Sequence, residues 1–254
     1  MSYNPPSSTQ FIGHHMIYEA VCASTNSWAA QCLDSKKAPD GTVVITDHQC
    51  HGRGQRGRVW YSEPHKNLTF SVILYPTFLV PQQSFSLNII VTLAIQQVLS
   101  SYIPHGLRIK WPNDIYYRDQ KLGGVLIENT LLKRILKTSI IGIGLNVNQL
   151  SFSLPKPTSL SLICQRPFNL QQLLEQLLVS LETNYLQLQR QGITALREAY
   201  LQNMYWIHEV HTFQDADHVF RGKIKGINHI GQLVVEYIDH TRKCYNVQEL
   251  TFIA

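Results

Sequence analysis

The run Ile141-Gly142-Ile143-Gly144-Leu145-Asn146-Val147 alternates between bulky apolar residues and residues with little or no side chain. Side chains on a strand point alternately to its two faces. Ile143, Leu145 and Val147 therefore share one face, and Gly142, Gly144 and Asn146 share the other. The first face requires a core. The second leaves the backbone bare, which weakens a strand unless something must approach it closely. A chain carrying this segment must form a sheet with one buried face and one face that is a floor for a ligand.

A second stretch supplies charge. Gly52-Arg53-Gly54-Gln55-Arg56-Gly57 is followed at once by Arg58 and Trp60, and no Asp or Glu occurs from His48 to Ser62. Glycines free the backbone, and uncompensated guanidinium groups suit phosphate or carboxylate. The spelling matches the Gly-x-Gly-x-x-Gly dinucleotide fingerprint, but that fingerprint needs a helix to begin at the loop. Val59-Trp60-Tyr61-Ser62-Glu63-Pro64 opens no helix, so a dinucleotide fold is not expected, and the Gly-Lys-Ser/Thr of a Walker loop is missing. Read alone, the run is equally a solvated Arg-rich turn.

Two further motifs flank strands. In Lys110-Trp111-Pro112-Asn113-Asp114 the proline ends regular pairing, and Asn113 and Asp114 project from a tight corner. By itself this is also an ordinary Asx-capped turn. Lys121 begins a strand containing Gly123 and Gly124, so a ligand crossing the sheet there would meet a cation. The alternative is a β-bulge with a solvent lysine.

The remaining pattern predicts strands at Met16–Val21, Thr42–Thr46, Leu68–Tyr75, Leu107–Trp111, Lys121–Asn129 and Ile135–Val147, the last two paired. Helices are expected after Ser24 or Thr25 as N-cap, over Gln82–Tyr102, from Asn169 to about Gln191, and over Thr194–Asn203. The leucines 173, 174, 177, 178 and 181 read as core. Residues 1–13 are expected to be a loose arm, and Pro155–Pro167 a loop. Short strands at Val210–Phe213, Val219–Ile227, Leu233–Tyr237 and Lys243–Val247 imply a small β unit, which places a domain boundary near residue 205.

The 254 residues carry 44% hydrophobic and 15% charged side chains, with a net charge of +5. This is an ordinary globular composition whose mild basicity suits an anionic ligand and is too diffuse to indicate nucleic acid. Five cysteines with no C-x-x-C pattern fit reduced thiols and a cytoplasmic location. No apolar run approaches a membrane span, no secretory signal is expected, and the histidines show no metal-ligand spacing.

In this order, Ser24-Thr25-Asn26, Gln49, Gly52 to Trp60, Lys110 to Asp114, Lys121 to Gly124 and Gly142 to Asn146 resemble the biotin–protein ligases. Phe220-Arg221-Gly222-Lys223-Ile224 through Gly231-Gln232-Leu233 is similar to that family's small C-terminal domain. The resemblance implies an α+β fold. Its parts are a mixed β-sheet with helices on one side, of the class II aminoacyl-tRNA-synthetase type (residues 1–205), and an SH3-like β-barrel (206–254). It also implies an ATP-dependent reaction with Mg2+ carried by the nucleotide: biotin is activated as biotinyl-5'-AMP and passed to a lysine of a biotin carboxyl carrier protein.

The family's biotin contacts map onto Ser24, Thr25, Asn26, Gln49, Arg53, Gly54, Gln55, Lys121, Gly123, Gly124, Gly142 and Gly144. Its nucleotide contacts map onto Arg56, Arg58, Trp60, Asn113, Asp114, Lys121 and Asn146, with Lys121, Arg53 and Arg56 as the catalytic cations. No protein-held metal is implied. Several members carry Arg where this chain has Gln55, and some carry a basic residue where Ile253 stands. The first expected strand begins at Met16, too early for a preceding helix-turn-helix, so no operator DNA binding is expected. Neither is a membrane partner. The chain is expected to be a monomer or a homodimer, an exposed sheet edge near residues 135–147 being the candidate for pairing two subunits. A lipoate–protein ligase and a non-catalytic nucleic-acid-binding module are the competing readings.

Overall fold

A computed structural model describes residues 3–35, 38–153 and 156–253; the side chain of Arg56 also lies outside the described set. Seven strands form the larger sheet: β1 (Met16–Cys22), β2 (Thr42–Gln49), β3 (Leu68–Leu74), β4 (Leu107–Lys110), β5 (Asp114–Tyr117), β6 (Gln120–Leu132) and β7 (Ile135–Leu145). Their spatial order is β1-β2-β3-β7-β6-β5-β4, with β1 parallel to β2 and every other pair antiparallel.

Strand parity gives the sheet two different faces. Val43 and Ile45 of β2, Phe70 and Val72 of β3, and Ile141, Ile143 and Leu145 of β7 belong to the main core. Helix α2 (Phe85–Ser100) packs on this face over β4, β5 and β6. It is apolar almost all round because α4 (Leu170–Gln191) packs on its outer side. The α4 leucines 173, 174, 177, 178 and 181 are all buried in that core, as their spacing predicts. Asn169 caps α4 by accepting from the Gln172 N–H at 3.0 Å.

Helix α1 (Thr25–Asp34) lies on the opposite face. Its Ala29 and Cys32 pack with Val44, Ile73 and Ile140, which have the other parity. The helices thus do not all lie on one side. Most cover one face, and the short α1 occupies one end of the other and leaves the rest open. The remaining helices are α3 (Leu160–Cys164), inside the expected Pro/Ser loop, and α5 (Thr194–Gln202).

Two other expectations are corrected. The arm is packed: Tyr3 and Ile12 are buried, and the buried Glu182 carboxylate accepts N–H groups of Gln10, Phe11 and Ile12. That satisfies a charge that would otherwise be costly to bury. Nor is β7 an edge, since it sits between β3 and β6. The edge positions belong to β1, to β4, and to the outer side of β6 beyond Gly124, where its pairing with β5 ends. The β4 edge is bonded to the chain at Asn203 and Tyr205 through the N–H and C=O of Ile109.

A second, all-antiparallel sheet is built from β8 (Val210–Gln214), β9 (Val219–Ile227), β10 (Leu233–Tyr237), β11 (Arg242–Tyr245) and β12 (Thr251–Ile253), in the order β11-β10-β9-β8-β12. Its buried Phe213, Ile224, Leu233 and Val235 join the main core cluster, and Trp111 Nε1 donates to Gly231 O at 2.9 Å. Among the described residues no helix is long and apolar enough to cross a membrane.

Candidate active site

The open face of the sheet carries the cleft. Opposite Gly142 and Gly144 on β7 stand Leu126 and Gly124 on β6, and Ser71 and Thr69 on β3. A Cβ on Gly144 would come 2.4 Å from Cε2 of Trp60, and one on Gly142 would come 2.3 Å from Oδ1 of Asn26. Both positions must lack a side chain for Trp60 and Asn26 to lie against the strand.

Asn26 enters from α1, whose first turn points into the cleft. Thr25 donates its N–H (2.8 Å) and its hydroxyl (3.2 Å) to Gln49 Oε1. Ser71 Oγ lies 2.7 Å from both Thr25 Oγ1 and Asn26 Oδ1. Asn26 Nδ2 donates to Leu126 O at 3.2 Å and to Glu128 Oε2 at 2.7 Å. The result is a compact set of amide and hydroxyl groups at one end of the cleft, able to recognise a small ring with both donors and acceptors.

The Gly/Arg loop folds over this floor as a narrow hairpin. Arg53 bridges Val59, Trp60 N–H donates to Gly52 O at 2.9 Å, and a single 3-10 turn, Gln55–Gly57, forms the tip. The chain leaves this turn extended at Arg58, without the helix that a dinucleotide loop needs. Trp60 Nε1 is buried without a hydrogen-bond partner. Two cations are held by carboxylates: Arg53 Nη2 by Glu128 Oε2 at 2.7 Å and Lys121 Nζ by Asp114 Oδ1 at 2.7 Å. The ammonium of Lys121 also lies 5.7 Å from the Trp60 ring centroid. Beside them the Tyr116 phenol is pushed up to about 12, mainly by burial and further by the Asp114 charge.

Of the residues singled out from sequence, the cleft brings together Ser24, Thr25, Asn26, Gln49, Arg53, Gly54, Gln55, Arg58, Trp60, Asn113, Asp114, Lys121, Gly124, Gly142 and Gly144. Gly123 does not line it: its missing side chain faces Gly144 O and Leu145, because it has the opposite parity to Gly124. Asn146 lies past the end of β7, buried, with its Nδ2 donating to Thr158 O at 3.0 Å; it fixes the following loop. The Arg56 side chain lies outside the described residues.

Sequence reasoning missed Ser71 and Glu128. Both had a signal. Thr69 and Ser71 are polar residues at period two in an otherwise apolar strand, and Glu128 continues the Gly124-Leu126 parity. A group of Asp215, Asp217 and His218 lies within metal-ligand spacing in the second sheet. Asp215 is already engaged by Lys243 at 3.0 Å and by the backbone N–H groups of Asp217 and His218.

Comparisons with known proteins agree with this architecture. A Biotin protein ligase from Aquifex aeolicus, solved in complex with biotin and ATP, superposes with a TM-score of 0.78 at 24% identity, covering 94% of this chain and 99% of that one. A Biotin protein ligase from Leishmania major, in complex with biotinyl-5-AMP, gives 0.65 at 21% identity over 92% and 99%. The fold is therefore of the biotin-protein-ligase class: an α+β mixed sheet with a further antiparallel sheet at its C-terminal end.

In sequence, the Bifunctional ligase/repressor BirA of Bacillus spizizenii is 30% identical over 94% of this chain and 74% of its own length. Biotin–protein ligase 2 of Arabidopsis thaliana is 30% identical over 79% and 61%. Residues 18–146 match the Biotin/lipoate A/B protein ligase family, and the chain belongs to that family.

Proposed function

We propose that this protein is an ATP-dependent ligase that activates biotin as biotinyl-5'-AMP and transfers it to a lysine of a biotin carboxyl carrier domain. Residues 1–205 are the catalytic part in this reading, and 206–254 a small SH3-like C-terminal part. The observation that carries it is the placement of Lys121 on the glycine floor, between the polar set at Thr25, Asn26 and Gln49 and the corner at Asn113 and Asp114.

In the first step a carboxylate oxygen of biotin attacks the α-phosphorus of ATP. A C–O–P bond forms, the bond to the β-phosphate bridging oxygen breaks, and pyrophosphate leaves. Two anions must meet, so cations at the junction supply the main stabilisation. In this reading Lys121 serves that junction, assisted by Arg53 and Arg58, which line the same cleft. The carboxylates that hold Lys121 and Arg53 occupy these cations until a ligand anion replaces them. Trp60 covers the floor at Gly144 and offers its aromatic face to the adenine and its indole N–H to a ligand acceptor.

In the second step a neutral lysine amine attacks the acyl carbon, AMP leaves, and the nitrogen loses a proton as the amide forms. Asp114, a carboxylate that lines the cleft, accepts that proton once Lys121 has released it. No covalent enzyme intermediate is required, so positioning carries much of the rate. The ureido ring of biotin matches the donors and acceptors of Thr25, Asn26, Gln49 and Ser71 better than the apolar dithiolane of lipoate does. Calorimetric titration with each acid tests this. Biotin binding without lipoate binding is expected, and the reverse would overturn the assignment.

A further inference from the structure

Lys110 ends β4 on the same face of the sheet as the cleft, because its cross-strand partner is Asp114. Its ammonium is enclosed by rings: 4.6 Å from the Tyr116 centroid, 4.8 Å from Phe252 and 5.5 Å from Tyr205. Its one hydrogen bond among the described residues is to the Tyr116 hydroxyl, at 3.5 Å. Arg53 and Lys121 each have a carboxylate at 2.7 Å, whereas no carboxylate among the described residues forms an ion pair with Lys110. Burial, with smaller contributions from Lys156 and Lys121, holds its pKa below that of an ordinary lysine despite Asp114. Three aromatic faces offset part of the desolvation cost of a cation but do not neutralise it. Phe252 belongs to β12, so the second sheet helps to build the enclosure.

The position follows from the direction of the reaction. Displacement at phosphorus runs in line, so the leaving group departs on the side opposite the attacking oxygen. The polar set that would take the biotin ring lies over β3 and β7, Lys121 is on β6, Asp114 and Tyr116 are on β5, and Lys110 is on β4. From Lys121 to Lys110 is two strand spacings, roughly 10 Å. A diphosphate touched at one end by Lys121 and at the other by Lys110 fills that gap.

We propose that Lys110, held in the ring enclosure of Tyr116, Tyr205 and Phe252, binds the β- and γ-phosphates of the nucleotide and then the departing pyrophosphate. This rests on the ligase reading above.

The test uses the full chain with Lys110→Met and Lys110→Arg. ATP and AMP affinities are measured by calorimetry, KM for pyrophosphate by isotope exchange, and transfer by supplying preformed biotinyl-5'-AMP with a carrier domain. Lys110→Met should weaken ATP binding and raise KM for pyrophosphate by about ten-fold or more, while leaving AMP affinity and the transfer rate within about two-fold. Lys110→Arg should restore most of the ATP affinity. Equal weakening of ATP and AMP, or unchanged ATP affinity in Lys110→Met, would overturn the proposal. If the methionine variant does not fold, Lys110→Gln gives the same ATP-to-AMP comparison. Should the unaltered protein show no biotin-dependent exchange, the ligase reading fails, and the ATP-to-AMP ratio still decides the role of Lys110.

Discussion

Strand β7 has two faces with opposite duties. Ile141, Ile143 and Leu145 belong to the main core and are at most 5% exposed. Gly142 and Gly144, the alternate residues, carry nothing, and Asn26 and Trp60 rest against them. One face converts side-chain volume into stability, and the other gives volume up so that a ligand and its lid can reach the backbone. The same division runs through β3, where Phe70 and Val72 face the core and Thr69 and Ser71 the cleft. Mutations on the two faces should therefore be separable.

The largest effect on stability is expected from Ile141→Ala. Its side chain is fully buried, and truncation should cost about 2–5 kcal/mol in chemical denaturation, with biotin affinity of the folded fraction unchanged. A parallel loss of affinity would break the separation. Gly144→Val tests the other face. Its side chain would displace Trp60 and fill the floor, so ligand affinity should fall about a hundred-fold, roughly 2.7 kcal/mol, with little change in the denaturation midpoint. A smaller effect is expected from Glu128→Gln. The Arg53–Glu128 pair is well exposed on both sides, so its loss should leave stability almost unchanged, within about 1 kcal/mol. Freed of that carboxylate, Arg53 should tighten ligand binding modestly in a titration; weaker binding would show that Glu128 positions the loop and does not restrain it.

The face-specific part of this arrangement was legible in the sequence because it is local. Alternation at 141–147 marks both faces, and the β6–β7 pair, the Asn169 cap and the leucine stripe of α4 follow from spacing alone. What was illegible depends on order in space. The sheet edge was expected at 135–147, but strand β3 arrives from far away in sequence to cover it. Residues 3–13 look unattached until Glu182 accepts their N–H groups from across the chain. Asp114–Tyr117 reads as a corner because Pro112 and Asn113 give a turn signal, and only pairing with β4 and β6 makes it a strand. Gly123 and Gly124 read alike in sequence but face opposite sides of β6, and β7 ends at Leu145, one residue before Asn146. Lys110 sat inside a recognised motif, yet its ring enclosure draws on Phe252, far along the chain.

The central claim is that Lys121 joins a carboxylate to a nucleotide on the open face. Biotin-dependent exchange of labelled pyrophosphate into ATP tests it most directly, run on the unaltered protein and on Lys121→Ala with folding followed by circular dichroism. The account predicts exchange that requires biotin, and its loss by about a thousand-fold or more in Lys121→Ala while the thermal midpoint stays close to that of the parent. Undiminished exchange in a folded Lys121→Ala protein would contradict it.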